Sequence, residues 1–212
     1  MKRLLVGVLF VLTILKAGTF DDALDAYNKQ NYIEALNLFY VVAQEGDAKA
    51  QYNVALMYEN GQGVTKDLRQ AKKWYEKAAK NGNAKAAYNL ARLYHSLDGK
   101  QPHAIDMAKY WYEKAIEGGI TEAYNNLATL YLEGKGVPKD NQKALELLEK
   151  AAKANNPQAQ FNLGVLYGWG EGIQKDKLKS YENLTKAIKN GVSKAGDYLD
   201  RLCKESAWVC KN

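Results

Sequence analysis

The chain repeats itself at a near-constant interval, and this restricts the available folds more than any single residue does. Related segments begin at Ala48, Ala84, Thr121 and Pro157, spaced by 36, 37 and 36 residues. A period of this length is the signature of a supersecondary unit that buries its apolar face only against the next copy. The first half of each unit reads AQYNVALMY, AAYNLARLY, AYNNLATLY and AQFNLGVLY, so Asn53, Asn89, Asn126 and Asn162 are equivalent, as are Tyr58, Tyr94, Tyr131 and Tyr167. Val54, Leu90, Leu127 and Leu163 lie one turn before those tyrosines, which makes one apolar helical stripe. Beside them Ala55, Ala91, Ala128 and Gly164 are small enough for a neighbouring helix to approach closely.

The second half reads QAKKWYEKAAKNG, MAKYWYEKAIEGG, KALELLEKAAKAN and KSYENLTKAIKNG. It predicts a second helix whose bulky side chains, Trp74, Tyr75, Trp111, Tyr112, Leu147, Leu148 and Leu184, fill the space between units. Gly82, Gly119, Asn155 and Gly191 stand where a left-handed terminating residue is expected. Between the helices, Gly61 and Gly63, Gly134 and Gly136, and Gly170 and Gly172 form Gly-x-Gly turns, each followed by Lys-Asp, whose Asp is placed to cap the second helix. A phosphate-binding loop would need a preceding strand and a fuller motif, and these turns have neither.

The run NVALMYENGQGVTKDLRQAKKWYEKAAKNGNAKA resembles a Sel1-like repeat, a relative of the tetratricopeptide repeat, and the resemblance covers residues 48–192 four times, as 48–83, 84–120, 121–156 and 157–192. It implies an all-α fold, a right-handed α/α solenoid of Sel1-like, TPR-like helix pairs. The second unit departs from the pattern in its loop, where HSLDGKQPHAID replaces the glycine turn. Residues 20–47 read as a TPR-like capping helix pair in which Ala35, Phe39 and Gly46 match Ala71, Tyr75 and Gly82. Residues 193–212 read as a C-terminal capping helix and a tail with Trp208, because the last unit of a stack must cover a bare apolar face.

Residues 1–19 have the layout of a secretory signal peptide: Lys2 and Arg3, an apolar run from Leu4 to Leu15, then Ala17, Gly18 and Thr19. About 12 apolar residues are too few to span a bilayer, which needs about 20. Cleavage is therefore expected between Ala17 and Phe20, leaving no integral membrane segment and an exported, periplasmic or secreted, protein. The formal charge of +6 includes Lys2, Arg3 and Lys16. The mature remainder mixes Lys and Glu along its helices, a solvated surface with no nucleic-acid stripe. Cys203 and Cys210 are the two cysteines, and an oxidising compartment favours a disulfide over a metal site or nucleophile. On one straight helix their Cα atoms would lie about 10.5 Å apart, beyond the roughly 7 Å that a bridge tolerates, so a paired state requires a turn between them.

Catalytic constellations are not found. His95 and His103 are the two histidines, both in or beside the atypical loop, without the cysteines or clustered carboxylates that would complete a metal site. No cofactor or metal is expected. The exported cysteine-containing Sel1 proteins of Helicobacter and relatives are the subset that this chain resembles. That subset implies a β-lactamase- or penicillin-binding-type activity as an alternative, although its members place a cysteine pair in every repeat and this chain has one terminal pair. The leading expectation is an adaptor that binds a protein or peptide on the concave side lined by first helices. The expected contact residues are the ladder Asn53, Asn89, Asn126 and Asn162, with Gln51, Tyr88 and Asn125 nearby.

Overall fold

The structure is a computed structural model and describes residues 19–97, 99, 103–170 and 172–211. The signal-peptide expectation falls on residues outside the described ones, except for Thr19. Among the described residues the chain is all α-helical, with no strand. The helices are α1 Phe20–Asn28, α2 Tyr32–Gln44, α3 Ala48–Asn60, α4 Leu68–Lys80, α5 Ala84–His95, α6 Ala104–Glu117, α7 Glu122–Glu133, α8 Asn141–Lys153, α9 Pro157–Trp169, α10 Lys177–Lys189 and α11 Ala195–Glu205, followed by a 3-10 turn, Ala207–Cys210. Two compact units divide within α4, one ending at Ala71 and the other beginning at Lys72.

In the first unit, Thr19 caps α1: its hydroxyl accepts from the Asp22 amide while the Asp22 carboxylate accepts from the Thr19 amide. Helices α1 and α2 pack together, and α2 packs on α3. Phe20 meets Phe39 with ring centroids 5.4 Å apart. Ala23, Ala35, Phe39 and Ala43 are buried, as are Val54, Ala55 and Met57 on α3. Gly63, in the turn after α3, has φ +70° and lies so close to the Tyr32 carbonyl that a methyl group there would collide with backbone.

The second unit is a row of helices, each packed on the next from α5 to α11. The expected core positions are filled: Trp74, Tyr75, Trp111, Tyr112, Leu147, Leu148 and Leu184 are all buried. Asp140 and Asp176 cap α8 and α10 by accepting from the amides of Lys143 and Lys179. In the first unit Asp67 does the same for the amides of Arg69 and Gln70. Gly170 departs from the expected turn, with an extended backbone of φ −63° and ψ 140° in place of a positive φ. Its amide still closes the end of α9 by donating to the Leu166 carbonyl. At Gly164 even a methyl group would press into Leu184, and the buried Ser180 hydroxyl donates to the Gly164 carbonyl at 2.7 Å.

The C-terminal end closes with a cluster of Phe161, Leu184, Ala187, Ala195, Leu202 and Val209. The chain turns at Ser206, which brings the Cα atoms of Cys203 and Cys210 to 5.7 Å and their sulfurs to bonding distance. Within the tail Trp208 points outward at 61% exposure, while Val209, at 2%, enters the core. Consecutive residues of a tight 3-10 turn face different sides, so one of the two had to remain outside.

Candidate binding surface

Of the expected contact residues, Gln51 and Asn53 belong to the first unit. Gln51 is buried, and its side-chain amide donates to the Ala43 carbonyl at 3.0 Å, which ties the end of α2 to α3. Asn53 is half-buried on α3.

In the second unit the first helices of the repeats, α5, α7 and α9, are joined directly by polar side chains. Gln158 donates to the Asn162 side-chain carbonyl at 3.2 Å, and Asn162 donates to that of Asn125 at 3.0 Å. Asn126 donates to the Tyr88 hydroxyl at 3.2 Å and accepts from Asn125 at 3.4 Å. Four of the expected residues, Tyr88, Asn125, Asn126 and Asn162, therefore form one row across three helices. Asn89 takes another direction and donates to the Tyr75 hydroxyl at 3.2 Å, back towards the preceding second helix. The four equivalent asparagines are thus not one ladder. The residue before each also differs: Tyr52, Tyr88, Asn125 or Phe161.

The row connects two cavities. Asn162 lines one of about 350 Å³, with Phe161, Val165, Trp169 and Tyr198 among its walls. Tyr198 meets Phe161 edge-on at 5.2 Å and Trp169 at 5.7 Å, which braces an aromatic wall. Asn126 lines the other cavity, of about 270 Å³, with Arg92, His95, Ser96 and Tyr112. Burial is the main cause that pushes the Tyr112 phenol well above its ordinary range, and the neighbouring Tyr88 adds to it. The His95 ring nitrogen Nδ1 lies 3.3 Å from that hydroxyl.

Sequence reasoning singled out neither the aromatic cavity nor Arg92. The available signal was the departure from the repeat: Arg92 stands where the other units have Leu56, Thr129 and Val165. His103, the other histidine, is exposed beside Asp106 at 3.2 Å. No group of three or more metal-ligating side chains occurs among the described residues. No described helix is long and apolar enough to cross a membrane.

The repeats and the fold have relatives among known proteins. The family model described as Sel1 repeat matches residues 48–83, 84–120, 121–156 and 157–192. A Sel1 repeat protein from Oxalobacter formigenes is 29% identical with a TM-score of 0.77, over 89% of this chain and 78% of that one. The protein c5321, described as a protective antigen present in uropathogenic Escherichia coli strains and displaying an SLR fold, is 30% identical with a TM-score of 0.80, over 90% of this chain and 42% of its own. A stretch of 80 residues is 32% identical to the ERAD-associated E3 ubiquitin-protein ligase component HRD3 of Candida glabrata, and it amounts to 36% of this chain and 10% of that protein. This chain therefore spans about a tenth of the curated relative that it matches.

Proposed function

Because the chain belongs to the Sel1 repeat family, whose members generally bind other proteins, we propose that it is an exported scaffold that holds an extended segment of a partner along α5, α7 and α9. The observation that carries this reading is the polar row Tyr88, Asn126, Asn125, Asn162, which runs across three repeats between two cavities. Asn125 is buried and ties the row together, while the half-buried Asn126 and Asn162 retain amide donor and acceptor capacity that suits the peptide groups of an extended chain. The aromatic surface beside them supplies the area that gives affinity. The N-terminal layout of residues 1–19 and the terminal cysteine pair support export, to the periplasm or beyond. Among the described residues no observation favours β-lactamase-type hydrolysis.

Recovery of partners from an envelope extract tests this reading. The chain carrying both Asn126→Ala and Asn162→Ala should retain its helix content and lose at least nine-tenths of the partner that the unchanged chain recovers. Undiminished recovery by the double variant would refute the assignment.

A further inference from the structure

The first unit carries an apolar surface that its own packing leaves uncovered. Helix α2 buries Ala35, Phe39 and Ala43 against its neighbours α1 and α3. On its other side Ile33, Glu34, Asn37, Tyr40, Val41 and Gln44 are exposed, at the spacing of a second helical face. Ile33 is 70% exposed, Tyr40 42% and Val41 43%. The terminal helix pair of a stack is expected to turn a polar face outward, so three large apolar side chains there mark an interaction surface. Helix α2 contains no Lys or Arg, which disfavours an anionic membrane surface as the occupant.

This face has a hollow at one end and a protrusion at the other. Beside its first turn, Ile33, Glu34, Asn37, Leu38 and Gly63 line a cavity of about 710 Å³. Val41 stands two turns further on, and Asn37 lies midway between Ile33 and Val41 in the sequence. At 1.5 Å per residue, Ile33 and Val41 are separated by roughly 12 Å along the helix. A two-fold axis level with Asn37 reverses the helix, which brings Val41 of a second copy level with Ile33 and the cavity of the first. The same operation brings the second cavity to the first Val41, as a self-complementary interface requires. Tyr40 of the second copy then packs beside Ile33, and the two Asn37 amides meet at the axis, where each can donate to the other. A single polar pair inside an apolar seam fixes its register. A parallel pair would set Val41 against Val41 and leave both cavities unfilled. We propose that α2 is a dimer interface, which joins two copies of the chain antiparallel about Asn37 with Val41 of each in the α2 cavity of the other. One helix face is smaller than the roughly 800 Å² per partner of a standard interface, so the dimer dissociates on dilution. The interface is built from the first unit alone and the polar row from the second, so the loss of either reading leaves the other standing.

Light scattering from the purified chain over about a hundredfold range of concentration tests the interface. The mass should rise from that of one copy to that of two. Val41→Glu drives a carboxylate into the apolar seam and should weaken the dimer by roughly tenfold or more. Val41 is exposed, so the variant should fold, and unchanged helix content verifies this. Cysteine cross-linking reads the register, and Cys203 and Cys210, bonded to each other, do not compete. With a mild oxidant, Asn37→Cys should give a disulfide between copies, because residues facing each other on the axis come within bridging reach. Val41→Cys should give none. A monomer at every concentration, the outcome were the apolar run from Leu4 to Leu15 to cover the face instead, would overturn the interface. So would a dimer indifferent to Val41→Glu, or one that cross-links at position 41 and not at position 37.

Discussion

At the scale of the residue, the same amino acid does different work in different repeats because its neighbours differ. Gly63 and Gly82 both have positive φ, +70° and +86°. A side chain at Gly82 would meet nothing within 4 Å, whereas one at Gly63 would strike the backbone of Tyr32 and Ile33. Gly82→Ala should therefore cost only the left-handed strain, about 1 kcal/mol. Gly63→Ala adds a backbone collision and should cost at least about 3 kcal/mol. Urea denaturation of the two variants measures the gap, and equal losses would contradict it. The asparagines give the same lesson for the binding row. Their equivalence is visible in the repeat register, but their bonding is not, because Asn126 reaches Tyr88 on the preceding first helix while Asn89 reaches Tyr75 on a second helix. Arg92 escaped notice for the opposite reason. Aligning repeats draws attention to what recurs, and a residue that occurs in one repeat is visible only as a departure.

At the scale of the element, the helices of the repeats were legible because the same apolar positions recur in each copy. Asn83 and Asn156, which accept from the amides of Ala86 and Ala159, start α5 and α9 by the same device that Asp140 uses for α8. The tail was less legible. The sequence pointed to a capping tail without showing which side chain enters the core; the turn at Ser206 sends Val209 inward, and the Lys177 ammonium holds the tail by donating to the Ser206 hydroxyl. The Cys203–Cys210 bond closes a short loop around this turn. Its loss should cost about 2 to 3 kcal/mol on the chain-entropy account. Because a stack of repeats opens locally from its ends, reduction should raise amide exchange over 195–210 and leave α5 to α8 unaffected. Uniform exchange along the second unit after reduction would contradict this.

At the scale of the whole molecule, the repeat supplies a scaffold whose core positions are fixed while its surface is free to vary. In the second unit the aromatic and leucine positions of the second helices are consumed by packing, Tyr75, Tyr112, Leu148 and Leu184 among them. The polar row and its two cavities lie along the first helices, with basic donors at one end and an aromatic wall at the other. The fold was legible because packing repeats with the sequence, whereas the course of the polar row was legible only in part because it depends on what differs between copies. Site-specific photo-cross-linking in cells producing the full chain tests this division most directly, with a photoreactive residue placed at Val165 on α9 or at exposed Tyr110 on α6. A partner adduct at Val165 and none at Tyr110 is the predicted result. An adduct at Tyr110 with none at Val165 would contradict the account.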